Sequence, residues 1–357
     1  MEILTLSQED LESLGLTSDI SAIVEDVRQA LIDHGSGKTI SDKVALAPTR
    51  ERMFQVWGLD ERTCQRYDHE DLDQKLSALN SFNGRLASVK IVGGSALNKE
   101  RGLPRSESLI VLYSADTIVP QCLMKGTQIS ALRTGAYAAL VGEYLMPKEA
   151  GNVVAYIGSG KMAETSVLCM DSLIADRINK IKIYSRTPAN RERFVEQIQP
   201  RTRMRLVVAN SIEEAIGDAD YVITATTALE PVVDDPQLKI NATVLLSGGD
   251  EVGYRFINRC SENGLIFCDD WELVKHRNVQ SLPLLYHKML EGDPNITIDE
   301  AKIRNLWQLF TGQINLQKTD YDCVFVNCVG LPDLDLQVAD RMYTRAVQQG
   351  IGDCVNL

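Results

Sequence analysis

The turn Gly158-Ser159-Gly160-Lys161-Met162-Ala163 fits the spacing G-x-G-x-x-A. It follows the apolar run Asn152 to Ile157 directly and precedes the helical stretch Glu164 to Leu173. That context suits a dinucleotide pyrophosphate. The first glycine makes the tight turn and the second lets backbone approach the phosphates. The small third residue lets helix pack on strand, and the helix N-terminus faces the anion. A plain strand-to-helix turn can share the pattern, so the flanking elements carry the reading. The next strand ends in Tyr184-Ser185-Arg186-Thr187. Sites that prefer NAD usually place an acid there for the ribose 2′-hydroxyl. Ser185, Arg186 and Thr187 offer two hydroxyls and a guanidinium, which suit a 2′-phosphate. NADPH is therefore the favoured cofactor, with NAD possible. Thr224-Ala225-Thr226 ends a later strand, where residues border the ribose and nicotinamide of such a cofactor.

Three charged residues stand where apolar neighbours would make a charge costly. Lys90 lies within Leu86-Ala87-Ser88-Val89-Lys90-Ile91-Val92. Arg133 lies between Leu132 and Thr134, and Asp250 follows Leu245-Leu246-Ser247-Gly248-Gly249. Buried charges are normally paired or functional, and open parallel sheets bind ligands beyond the carboxyl ends of their strands. Each of the three can instead be a solvent-facing residue or part of a structural ion pair. Only four histidines occur, so proton transfer in an enzyme of this sequence falls to Lys, Asp or Glu.

The elements that must position these residues read as follows. Ile20 to Ile32 repeats apolar residues at helical spacing. Leu86 to Val92, Leu109 to Tyr113 and Val119 to Leu123 read as strands, with a loop over residues 93–105. Residues 127–146 form a helix rich in small side chains. Beyond it, short strands at 182–184, 206–208, 221–224, 243–246 and 265–268 alternate with helical or turn segments, which argues for a parallel sheet with helices on both faces. The stretch from about Val324 is expected to return to the first domain. The fold class is thus α/β. A Rossmann doubly wound parallel-sheet domain spans residues 136–321. An α+β domain for substrate and dimerisation is formed by residues 1–135 and 322–357.

The chain has 357 residues and a net charge of −12, an acidic balance that repels nucleic-acid phosphates and anionic lipid. No apolar run approaches the roughly 18 residues of a membrane span, and the acidic first twenty residues do not read as a signal peptide. Eight scattered cysteines without a C-x-x-C pair read as reduced, buried hydrophobes rather than a metal site. A cytoplasmic location follows from these features.

The sequence resembles the ornithine cyclodeaminase/mu-crystallin family along most of its length. Ser88-Val89-Lys90, Asn98 and Gly102-Leu103-Pro104-Arg105 resemble its lysine strand and following loop. Ile129-Ser130-Ala131-Leu132-Arg133-Thr134-Gly135-Ala136 resembles its arginine helix. Gly248-Gly249-Asp250 resembles the aspartate segment, and Gly330-Leu331-Pro332-Asp333-Leu334-Asp335 the closing segment. The resemblance implies that Lys90 contacts substrate and assists proton transfer, that Arg133 clamps the substrate carboxylate, and that Asp250 holds the substrate nitrogen or a water. A further carboxylate-binding position, usually arginine, falls on Lys43, where lysine loses bidentate geometry. It also implies a homodimer. Two departures stand out. Glu251-Val252-Gly253-Tyr254-Arg255 replaces the Pro-Gly-Lys segment of cyclodeaminases, and Thr49 to Asn83, with Trp57, is longer than the family pattern.

The activity so implied is NAD(P)H-dependent redox chemistry at the Cα–N bond of a small amino or imino acid. Cyclodeamination of a diamino acid on tightly held NAD is the alternative. A non-enzymatic, crystallin-like NADPH or ligand store is a third reading.

Overall fold

Alternation of buried and exposed residues builds one sheet, and uninterrupted apolar runs build another. The structure is a computed structural model that describes residues 2–58, 74–95, 98, 101–277, 279–316 and 321–356. The chain divides into two units. One comprises Met1–Ser18, Gly37–Ser130 and Pro332–Leu357, and the other Asp19–Ser36 and Ala131–Leu331.

Among the described residues, the first unit carries β1 (Glu2–Leu6), β2 (Ile40–Leu46), β3 (Gln74–Phe82), β4 (Leu86–Ser95), β5 (Ser106–Ser114), β6 (Pro120–Lys125) and β15 (Asp353–Asn356), ordered β15-β1-β6-β5-β4-β3-β2. Strands β2 to β6 form an antiparallel meander, while β1 pairs parallel to β6 and antiparallel to β15. On β4, Leu86, Ser88 and Lys90 are buried, every second residue, as a sheet with one covered face requires. The helix Pro332–Gln349 packs on β2, β3 and β4. Strand β4 runs to Ser95, into the stretch expected to be loop. The long Thr49 to Asn83 segment contains the helix Arg50–Trp57 and β3, and its residues 59–73 lie outside the described residues.

The second unit carries β7 (Asn152–Ile157), β8 (Ile178–Tyr184), β9 (Leu206–Val208), β10 (Tyr221–Thr224), β11 (Thr243–Leu246), β12 (Leu265–Cys268), β13 (Ile303–Asn305) and β14 (Val324–Asn327). They form a parallel sheet in the order β13-β12-β14-β11-β10-β7-β8-β9. From β7 the order runs to β8 and β9 on one side and to β10 and β11 on the other. This reversal makes β7 the topological switch point of a doubly wound, Rossmann-type sheet. One face packs Ala155, Ile157, Val222, Val244, Leu246 and Phe325 into a core with Phe256, Ile257 and Cys260 of the helix Tyr254–Asn263.

Two expectations fail here. Val324–Asn327 does not complete the first unit; it lies between β11 and β12, because its four buried residues fit only a strand covered on both faces. The helix Ile20–Gly35 belongs to the second unit despite its place near the N-terminus. Its His34 bonds Asp270, with 2.8 Å between Nε2 and Oδ2.

Candidate functional site

In the first unit, Lys90 is buried, and its ammonium donates to Asp335 Oδ2 at 2.6 Å and to Ser130 Oγ at 3.0 Å. Lys43, Leu79, Lys90, Ile110 and Met124 lie directly across from one another through β2 to β6. Facing residues of neighbouring strands share a side of the sheet, so Lys43 and Lys90 point the same way, about 10 Å apart. In the next row, the Ser41 hydroxyl donates to Asp333 Oδ2 at 3.1 Å, and the Ser81 hydroxyl donates to Oδ1. Asp333 and Asp335 occupy the first turn of Pro332–Gln349, where unpaired backbone N–H groups favour negative charge. Sequence reasoning set Asp333 and Asp335 in a matching segment but missed their role. Two acids opening a helix look like ordinary end-of-helix charges.

In the second unit, Gly158 sits at φ +136°, and a Cβ there would collide with the carbonyl oxygen of Ala225. Its amide donates to the Tyr184 carbonyl at 2.7 Å, tying the turn to the end of β8. Gly160 has open space where a side chain would project. It precedes the helix Lys161–Ile174 without any side-chain cap, which leaves the first N–H groups for a ligand. Ala163 is fully buried, as the third position of the motif requires. Ser159 and Met162 are partly exposed beside this turn, and Lys161 Nζ donates to Glu164 Oε2 at 3.0 Å. Beyond β8, Arg186 is exposed and makes no hydrogen bond or ion pair among the described residues. The Ser185 hydroxyl donates to the Thr187 carbonyl at 3.2 Å. These features fit a dinucleotide with its pyrophosphate at Gly158–Gly160.

Thr224 ends β10 and is buried, while Ala225 and Thr226 are partly exposed in the following loop. Asp250 lies beyond the carboxyl end of β11, partly exposed, and its carboxylate has no bond among the described residues. The buried acid is its neighbour Glu251. Arg133 is nearly buried, and its guanidinium fills the space where Gly330, at φ +80°, would carry a Cβ. Four residues along the same helix, the Tyr137 hydroxyl donates to Asp269 at 3.0 Å. Asp269 also accepts from the amides of Val329 and Gly330, at 2.7 Å for Gly330. Burial pushes the Asp269 carboxyl upward, against these donors. The Asp269 knot therefore seats the arginine helix beside the end of β14. No sequence signal marked it, since Cys268-Asp269-Asp270 reads as an ordinary strand end.

Lys43 and Lys90 thus belong to the first unit. Arg133, Asp250 and the nucleotide-turn residues belong to the second, all but Arg133 at carboxyl ends of its parallel strands. The buried ammonium can hold or pass a proton, and the Asp250 carboxylate, unpartnered among the described residues, can accept one.

Residues 38–350 match the sequence pattern of the ornithine cyclodeaminase/mu-crystallin family. The chain is 25% identical over 274 residues to N-((2S)-2-amino-2-carboxyethyl)-L-glutamate dehydrogenase of Staphylococcus aureus, covering 76% of this chain and 78% of that one. It shares its fold with Delta(1)-pyrroline-2-carboxylate reductase of Thermococcus litoralis, solved with NADH and L-proline. The TM-score is 0.81, with 24% identity over 99% of this chain and 100% of that one. An archaeal alanine dehydrogenase dimer with bound NAD is alike to the same degree, with TM-score 0.81, 22% identity and full coverage of both chains. By the match over residues 38–350, the chain belongs to the ornithine cyclodeaminase/mu-crystallin family.

Proposed function

We propose that the protein is an NAD(P)H-dependent oxidoreductase acting on the Cα–N bond of a small amino or imino acid. One observation carries this reading. The carboxyl end of one parallel sheet presents the uncapped phosphate turn at its switch point and, beyond β11, the Asp250 carboxylate, which has no bond among the described residues. When bound, the nicotinamide would supply or accept the hydride. The amides at Gly158–Gly160 hold the pyrophosphate, and Ser185, Arg186 and Thr187 hold a 2′-phosphate, which favours NADPH over NADH. Thr224, Ala225 and Thr226 line the ribose and nicotinamide half. Arg133 binds the substrate carboxylate, aided by Lys43 as a point charge. Asp250 orients the substrate nitrogen through a hydrogen bond, and Lys90 exchanges a proton with it. The reductases and dehydrogenases among its relatives support the reaction class.

The first unit, Met1–Ser18, Gly37–Ser130 and Pro332–Leu357, serves substrate binding and dimerisation in this reading. The sheet side opposite Lys90 exposes Val44, Ile91 and Leu109, with Leu46 and Leu76 beside them. An apolar face of this kind suits a second copy of the chain. No helix among the described residues is long and apolar enough to cross a membrane.

Calorimetric titration of the protein with NADPH and NADH, followed by reduction assays on cyclic imino acids, tests the proposal. Tighter NADPH binding with imine reduction is the expected result. NAD⁺ retained through purification, with ammonia released from a diamino acid and no net cofactor change, would replace it with cyclodeamination. Lys90→Ala and Asp250→Asn should each abolish turnover while leaving cofactor binding within about threefold. Wild-type turnover in either would remove that residue from the mechanism.

A further inference from the structure

Glu251 is fully buried, one residue beyond Asp250. Its main chain is fixed: the carbonyl accepts from Val232 N at 2.8 Å and from Val233 N at 3.1 Å. The next residue, Val252, bridges to Val233 and donates its amide to Ser281 Oγ at 2.9 Å. The side chain turns back under its own loop. Oε1 accepts the amide of Thr226, in the loop after β10. The carboxylate also fills the space where Gly248 would carry a side chain, and any Cβ there would collide with it. Gly248 is glycine for this reason and not for its backbone angles. Ala225, one residue before Thr226, is the residue whose carbonyl blocks a Cβ on Gly158. A continuous chain of contacts therefore runs from the phosphate turn at Gly158, through Ala225 and Thr226, to Glu251, Gly248 and the loop that carries Asp250. Burial pushes the Glu251 carboxyl upward, and the hydrogen bond from the Thr226 amide pulls the other way. A buried acid at such a cost has a position to hold.

We propose that Glu251 is a positioning residue, a strut that sets the Asp250 carboxylate at a fixed distance from the phosphate-binding turn through Thr226 and Gly248. The inference rests on the reading that this turn holds a dinucleotide and that Asp250 faces its nicotinamide. Glu251 touches neither substrate nor cofactor. It keeps the loops after β10 and β11 in one register, so that hydride donor and substrate nitrogen are aligned when both are bound. Glutamine has the same shape and can accept from Thr226 through its oxygen while its amide faces Thr224. The strut role therefore tolerates Gln and not Ala.

The test compares wild type with Glu251→Gln, Glu251→Ala, Gly248→Ala and the double variant Glu251→Ala/Gly248→Ala. Cofactor affinity is read by titration with NADPH and NADH, and kcat and KM by reduction of a cyclic imino acid. Glu251→Ala should lower kcat roughly 100-fold, the effect of about 1 Å of misplacement, with cofactor KM within about threefold because the pyrophosphate contacts are untouched. Glu251→Gln should stay within about threefold of wild type. Gly248→Ala should fall as far as Glu251→Ala, because its methyl meets the carboxylate. Adding it to Glu251→Ala should cost nothing more, since the space is empty. A folded Glu251→Ala with wild-type kcat overturns the strut, as does a Glu251→Gln as impaired as Glu251→Ala. If Glu251→Ala does not fold, Gly248→Ala decides: wild-type kcat there overturns it equally. Failure of wild type to bind either dinucleotide is a separate result, which overturns the cofactor reading and the strut with it.

Discussion

Replacing Asp335 with Asn should unsettle the first unit through Lys90. The two side chains are each about 2% exposed and 2.6 Å apart. Breaking a buried ion pair by removing one partner costs about 3–5 kcal/mol, because the other charge stays buried. Asparagine keeps an oxygen acceptor near the ammonium, which places Asp335→Asn at the lower end, about 3 kcal/mol. For a unit of roughly 140 residues, that is about 10 °C in the midpoint of its thermal transition. Removing both charges is another matter. Lys90→Met with Asp335→Leu fills similar volume without a buried charge, so the double variant should recover most of the loss. Scanning calorimetry at pH 7 on wild type, the single variant and the double variant measures both effects. A shift below about 3 °C for Asp335→Asn, or a double variant melting no higher than the single, would refute the argument. Lys90 would then be solvated or neutral in the folded protein.

Three further outcomes are expected. Arg186→Ala should weaken NADPH binding about 10- to 100-fold and leave NADH nearly unchanged, the loss of a charge-assisted bond to a phosphate; titration with both cofactors checks it. Gly330→Ala combines a positive φ with a methyl in the space of the Arg133 guanidinium, so kcat/KM for the imino acid should drop about 100-fold while cofactor affinity holds, as steady-state kinetics would show. Asp270 is a case for pH. Burial opposes its ionisation, but bonds from His34 and the Leu273 amide outweigh it and lower its pKa. Its contribution is therefore present above the unfolded value near 3.9 and is lost as pH falls through the lower folded value. Urea melts of Asp270→Asn should show a deficit of about 1 kcal/mol at pH 7 that shrinks below about pH 3. A deficit equal at both values would contradict the assignment.

Most strands of the parallel sheet were plain in the sequence, although the short edge strand β13 (Ile303–Asn305) was not. Runs such as Tyr221–Thr224 and Thr243–Leu246 are mostly apolar and buried throughout, as strands covered on both faces are, and their ends match the expected bounds. Strand order was not plain. Val324–Asn327 follows β13 in the chain yet lies inside β12, and no local pattern encodes such a pairing. The nucleotide turn could be read because its chemistry depends on spacing along the chain. The partners of the charged residues could not. Asp335, Asp269 and Glu251 have the composition of surface acids, and only the packing of distant segments buries them. Lys90 showed itself through its apolar neighbours on one strand, whereas the carboxylate that neutralises it is 245 residues away.

The place of β14 also bears on synthesis at the ribosome. Until residues 324–327 emerge, β11 has no neighbour on that side, and β12 with β13 has nothing to join. The other sheet waits in the same way, since β1 at residues 2–6 pairs with β15 at residues 353–356. A nascent chain made at about 5–20 residues per second thus carries unpaired, apolar strand edges for many seconds. Ribosome-associated chaperones would meet those edges before the last strands reach them.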